Sequence, residues 1–216
     1  MIGDVFDPQR EWEIHEAARP HWFQTGTISF FTFRTQDSIP REVLERWERE
    51  KQEWLHRLGI SSGIHWCEVL SSLSEELRTK FYKQFKRQRE DFLDTCHGRY
   101  LLQNANAAKI VADALQHFDG DRYQLGDFVV MPNHVHLLVS FISAEAMQQQ
   151  CDSWLHYTAR QINLLTGESG KFWQQEPFDH LVRSVEQYEW LRKYIADNPS
   201  KAGLGVGQYL YHRSEK

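Results

Sequence analysis

Residues 122–131 (RYQLGDFVVM) and 134–141 (HVHLLVSF) are two apolar runs rich in β-branched and aromatic residues, separated only by Pro132 and Asn133. Strands joined so tightly can pair only antiparallel, because a parallel pair needs a crossover of a dozen or more residues. The rest of the chain must therefore be arranged around a hairpin that is apolar nearly throughout. A third strand is predicted at residues 27–35 (TISFFTFRT), which follow Gly26 and carry aromatics at 30, 31 and 33. After it, Ser38, Pro40 and apolar positions 43, 44, 47, 54, 55 and 58 predict an amphipathic helix ended by Gly59. Helical patterns recur at 74–96, at 106–118 before Asp119-Gly120-Asp121, at 144–165 before Gly167, and at 184–197 before Asn198-Pro199. Strands and helices alternate irregularly, and one strand pair is a hairpin. This order predicts an α+β fold, an antiparallel sheet covered by helices, rather than a doubly wound parallel one. No repeat, low-complexity tract or dividing linker is visible, so 1–216 reads as a single domain. It would carry a polar N-terminal arm over about 1–20, broken by Pro8 and Pro20, and a basic helical elaboration over about 60–100.

Charge limits the partners. The chain of 216 residues has 25 Lys and Arg against 30 Asp and Glu, a formal charge of −5. Binding to nucleic acid would have to rest on a local patch and not on the overall field. Residues 78–89 offer one, with six basic residues and no acidic one. The plainer reading is a solvated helix face whose core side is Phe81, Tyr82 and Phe85. Cys67, Cys96 and Cys151 lack CxxC spacing and are expected to be buried thiols in a reducing compartment. Residues 1–10 have no basic segment leading into an apolar one, and no run approaches the ~20 apolar residues of a membrane span. A cytoplasmic protein with no membrane partner is expected.

The residues with chemical potential lie in the hairpin and the last helix. His134 and His136 flank Val135, and a strand's period of two puts both imidazoles on one face. Two nitrogens can hold a divalent ion only with ligands from elsewhere; otherwise they are polar residues on a half-exposed strand. In the last helix Val185, Tyr188, Leu191 and Ile195 form a core stripe. Tyr194 and Asn198 lie about 40° apart on an adjoining face that includes Gln187 and Trp190. By spacing alone, an edge-of-core tyrosine and a helix-ending asparagine before proline remain open.

Three blocks together resemble a known family. Met131-Pro132-Asn133-His134-Val135-His136-Leu137-Leu138 resembles the histidine strand of single-tyrosine HUH transposases, in particular the REP-associated tyrosine transposases. Phe172-Trp173-Gln174 with Phe178-Asp179-His180 and Arg183 is similar to that family's next block. Tyr194-Ile195, Asn198-Pro199 and Lys201-Ala202-Gly203-Leu204 resemble its closing motif. The resemblance covers roughly residues 20–204 and implies a ferredoxin-like antiparallel sheet of the HUH endonuclease type. It also implies cleavage and rejoining of single-stranded or hairpin-bearing DNA through a covalent 5′-phosphotyrosine. Tyr194 would be the nucleophile, and His134, His136 and Asn198 would bind Mg²⁺ or Mn²⁺. Members work as monomers or dimers, so a homodimer is open. His180 is expected in an aromatic cluster, while Tyr157 and Tyr188 are expected to pack and not react. Two alternatives are a metal-dependent hydrolase using the HxH pair with His180 or His156, and a non-catalytic module that binds hairpin DNA.

Overall fold

The computed structural model describes residues 1–16, 20–60, 65–70, 72–93, 98–175 and 177–215. In chain order the elements are β1 (Glu13–Glu16), β2 (Pro20–Phe23), β3 (Ile28–Arg34), α1 (Arg41–Arg57), α2 (Trp66–Leu70) and α3 (Glu75–Leu93). There follow α4 (Ala105–Gln116), β4 (Tyr123–Met131), β5 (His134–Phe141), α5 (Ala144–Thr166), β6 (Phe178–Leu181), α6 (Val185–Lys201) and β7 (Leu210–His212). They form two compact units, 1–36 with 99–216, and 37–98.

The larger unit is built on a five-stranded sheet in the order β6-β3-β5-β4-β7, with every neighbouring pair antiparallel. Taking β3, α4, β4, β5, α5 and β6 in turn gives βαββαβ with the first strand central beside the third, the ferredoxin-like arrangement; β7 is added beyond β4. Alternation along the strands separates two faces. Phe31, Phe33, Val135, Leu137, Val139 and Phe141 join a core with Val111 and Leu115 of α4 and Trp154 and Ile162 of α5. The residues between them, including Thr32, His134 and His136, face the other way. On that side α6 packs against β4 and β5. Both faces are thus covered, which is why β5 is buried along its whole length despite three polar side chains.

Local chemistry sets the helix ends. The Ser143 and Ser184 hydroxyls accept from the N–H groups of Ala146 and Gln187, both at 3.1 Å, and open α5 and α6. Asn104 caps α4 in the same way. The last helix differs from its expected end: α6 continues through Asn198-Pro199 to Lys201. Proline removes one donor, yet the Ala202 N–H still reaches the Asn198 carbonyl at 3.1 Å and the Leu204 N–H the Pro199 carbonyl at 2.9 Å. Asn198 and Pro199 are both buried, so packing outweighs the local penalty.

The register of β4 against β5 shifts between Leu125 and Phe128, which marks a bulge. A Cβ on Gly126 would lie 2.9 Å from Ile2 Cδ1 and 3.0 Å from Leu138 Cβ, so close approach requires glycine there. The N-terminal stretch expected as a polar arm contains the β1–β2 hairpin; Ile2 is buried, and the Phe6 N–H bonds the Val182 carbonyl. Cys151 is buried, as expected, whereas Cys96 and the side chain of Cys67 lie outside the described residues.

In the smaller unit Phe81 and Phe85 of α3 pack with Leu70, Trp54, Trp66 and Leu73, while Trp47 packs edge-on to Phe92. Phe81 and Phe85 are the core side of α3, as its spacing suggests; Tyr82 instead is exposed. Among the described residues no helix is long and apolar enough to cross a membrane.

Candidate active site

Strand β5 holds His134 and His136 side by side with ring centroids 4.6 Å apart. They are 1% and 2% exposed, so the half-exposed strand considered from sequence does not occur. Each ring is fixed by a neighbour. His134 Nδ1 lies 2.7 Å from Asn133 Oδ1, and His136 Nδ1 lies 2.8 Å from Thr32 Oγ1, its cross-strand partner. Among the described residues the buried Nε2 of His136 has no hydrogen-bond partner. Burial drives both imidazoles well below their ordinary pKa, and the Arg34 guanidinium adds to this; for His134 the neighbouring His136 contributes more than Arg34. Both are therefore neutral at physiological pH, the form in which imidazole donates a lone pair.

The covering helix brings the other two residues. Tyr188, Leu191 and Ile195 bury one stripe of α6 against the sheet. Beside it, Arg192 Nε bonds Oδ2 of the buried Asp127 at 3.1 Å, and Asp127 Oδ1 accepts from the Ser214 N–H at 2.9 Å. Helix, bulge and C-terminal segment are joined at that carboxylate. Tyr194 then sits over the histidine face, half-buried, with its ring centroid 5.3 Å from His136 and 6.1 Å from Phe30. One turn on, Asn198 is 5% exposed, and its side chain, beside His134, partly opposes the lowering of that imidazole's pKa. Lys201 Nζ lies 5.0 Å from the Tyr194 ring centre, and Trp190 stacks on that ring at 5.4 Å and 16°.

The four residues singled out in the sequence, His134, His136, Tyr194 and Asn198, are thus neighbours in space. The competing candidates are elsewhere. The Phe30 ring lies between His180 and His136, 5.3 Å from one and 5.2 Å from the other, so His180 sits in an aromatic cluster with Phe30 and Phe178. His156 and Tyr157 are exposed on α5, which packs on the opposite face of the sheet. Tyr157 does not pack as expected, and Tyr188 is buried. Among the described residues no three His, Cys, Asp or Glu side chains converge, so the hydrolase alternative has no third ligand of those types. A divalent ion held by the HxH pair would draw its next protein donor from Asn198. The free, buried Nε2 of His136 and the neutral state of both rings fit such an ion. Thr32, Arg34 and Asp127 escaped the sequence reading, which named Asn133 only as part of the turn and of the histidine block. Thr32 and Arg34 were detectable as polar residues alternating with Phe31 and Phe33; Asp127 had no signal beyond its place beside Gly126.

No protein-family model and no curated protein sequence matches the chain. A solved structure of a REP-associated tyrosine transposase bound to a REP hairpin is similar over 88% of this chain and 76% of that one, with a TM-score of 0.47 and 14% identity.

Proposed function

We propose that this protein cleaves and rejoins single-stranded or hairpin-bearing DNA through a covalent bond to Tyr194. The observation that carries the reading is the Tyr194 ring against His136, a neutral imidazole with a free Nε2, with Asn198 one helical turn away beside His134. A phenol with a pKa near ~10 is a weak nucleophile until it is placed in line with its target and the developing charge is offset. Tyr194 is held on three sides, by His136, Phe30 and Trp190, which limits its ring to few orientations. Its Oη attacks phosphorus and gives up its proton. The bond from phosphorus to the 3′ oxygen breaks, and that oxygen leaves with the electron pair and takes a proton as a 3′ hydroxyl. The 5′ phosphate remains on the tyrosine. Attack by another 3′ hydroxyl reverses these changes and rejoins the strands, with no net ester lost and no nucleotide triphosphate required. His134, His136 and Asn198 would hold Mg²⁺ or Mn²⁺, whose chemistry is to draw charge from the phosphate oxygens. Thr32 and Asn133 keep the two imidazoles oriented, as second partners of metal-binding histidines do. The reading includes a cytoplasmic location and leaves a homodimer open.

The test incubates the protein and its Tyr194→Phe variant with Mn²⁺ and hairpin DNA libraries labelled at the 5′ or the 3′ end. A denaturant-resistant adduct that keeps only the 3′ label, formed by the parent protein and absent from the variant, is expected. No adduct with the parent, or one that persists in the variant, overturns the proposal.

A further inference from the structure

Trp190 is 60% exposed, a large apolar side chain left open to water beside the candidate nucleophile. In the reaction outlined above it serves only to hold the Tyr194 ring, which needs no exposed surface. Its position four residues before Tyr194 puts the two rings on one side of α6, and they stack at 5.4 Å and 16°. One indole face thus covers the tyrosine, while most of the remaining surface meets solvent. On the same side of the helix, one turn and then nearly another beyond Tyr194, come the buried Asn198 and the cationic Lys201 over the phenol ring. Read along α6, this side carries an open aromatic plate, a phenol, an amide beside the histidines, and a cation. Packing within the chain accounts for only one face of the indole.

We propose that Trp190 is a substrate-binding residue on which a nucleobase next to the reacting phosphate stacks. The inference rests on the proposed function, because it takes the substrate to be single-stranded at the site. Unpaired bases stack on exposed aromatic rings whatever their identity, since each has a π face, and each such stack contributes a measurable share of single-strand binding. A base on the outer face of Trp190 would continue the stack already formed by the indole and the phenol. Its phosphate would then lie within reach of Tyr194 and of the charge on Lys201. Trp190 would in this way set the spacing between a recognised base and the attacked phosphorus, a role that depends on aromatic area and not on base identity.

The test needs neither cleavage nor a known target sequence. Binding is measured in EDTA to a twelve-nucleotide oligo-dT and to an abasic strand of the same length, so that phosphate contacts are equal and bases are the variable. The parent protein is expected to prefer oligo-dT by about 5- to 150-fold, the range of one base on one aromatic ring. In Trp190→Ala the preference should fall to within about twofold, and in Trp190→Phe much of it should return, given the residual stacking of a smaller ring. Thermal unfolding of both variants checks that the fold is kept. An equal preference in Trp190→Ala and the parent, or no preference in the parent, overturns the inference. Failure of the covalent chemistry reads out separately: a parent that prefers oligo-dT through Trp190 yet forms no adduct keeps this site and loses the nucleophile.

Discussion

The two histidines of β5 illustrate how burial decides the state of a residue. In water each would be partly protonated near pH 6.5; between the sheet and α6, with Arg34 nearby, both are held neutral. Between the unfolded value of about 6.5 and the depressed folded value, the unfolded chain binds protons that the folded chain refuses. Stability is therefore present above that window and is lost as pH falls through it, by up to about 2.7 kcal/mol per pH unit for two such groups. Urea unfolding in EDTA at pH 7.5 and 5.5 should show a larger loss for the parent than for His134→Gln/His136→Gln. Equal losses would mean that the rings titrate normally in the folded protein. The same neutrality that makes them sensitive to acid makes them able to donate lone pairs.

Among the elements, α6 matters most, because it carries Tyr194, Asn198 and Trp190 and its rotation sets where they point. Its apolar stripe is shared by any helix on a sheet and fixes rotation only coarsely. The Arg192–Asp127 pair is more specific: Asp127 is 2% exposed, receives Arg192 and the Ser214 N–H together, and stands in the β4 bulge beside Gly126. Removing one partner of a buried pair leaves the other unsatisfied, so Asp127→Ala should lose about 2–4 kcal/mol in urea unfolding. Asp127→Asn, which keeps one of the two acceptor oxygens and fills the same space, should lose less. If Asp127→Ala is as stable as the parent, the pair does not hold the helix.

At the scale of the whole molecule, an excess of acid argues against general attraction to DNA and requires local binding. The smaller unit has a defined aromatic core that includes Phe81 and Phe85, while Lys83 and Arg87 of α3 are exposed. One side of the helix is thus core, as the plainer reading of residues 78–89 has it, and the other side carries exposed cations. If these cations contact phosphates, Lys83→Ala/Arg87→Ala should flatten the slope of log Kobs against log salt by about 1.4, measured with single-stranded DNA. An unchanged slope would leave α3 as a solvated face.

The apolar hairpin, the strand at 27–35 and the long helices were legible from sequence because each rests on local pattern: period two, period 3.6, a glycine after a helix. Ser38, read as opening the first helix, does not cap it, since α1 starts after Pro40 with no side-chain cap. Short elements such as β6, β7 and the β1–β2 hairpin were not, since a strand of three or four residues has too little pattern and exists only because a neighbour pairs with it. The end of α6 was misjudged for a related reason: Asn198-Pro199 signals a stop locally, and burial against the sheet carries the helix past it. The candidate site divides along the same line. Sequence by itself determined that His134 and His136 share a face and that Tyr194 and Asn198 share another, because those are consequences of backbone geometry within one element. That the two faces meet, that the imidazoles are dry and neutral, and that Trp190 is left exposed was decided only by tertiary structure, because each depends on how elements distant in the chain pack, which no local period encodes.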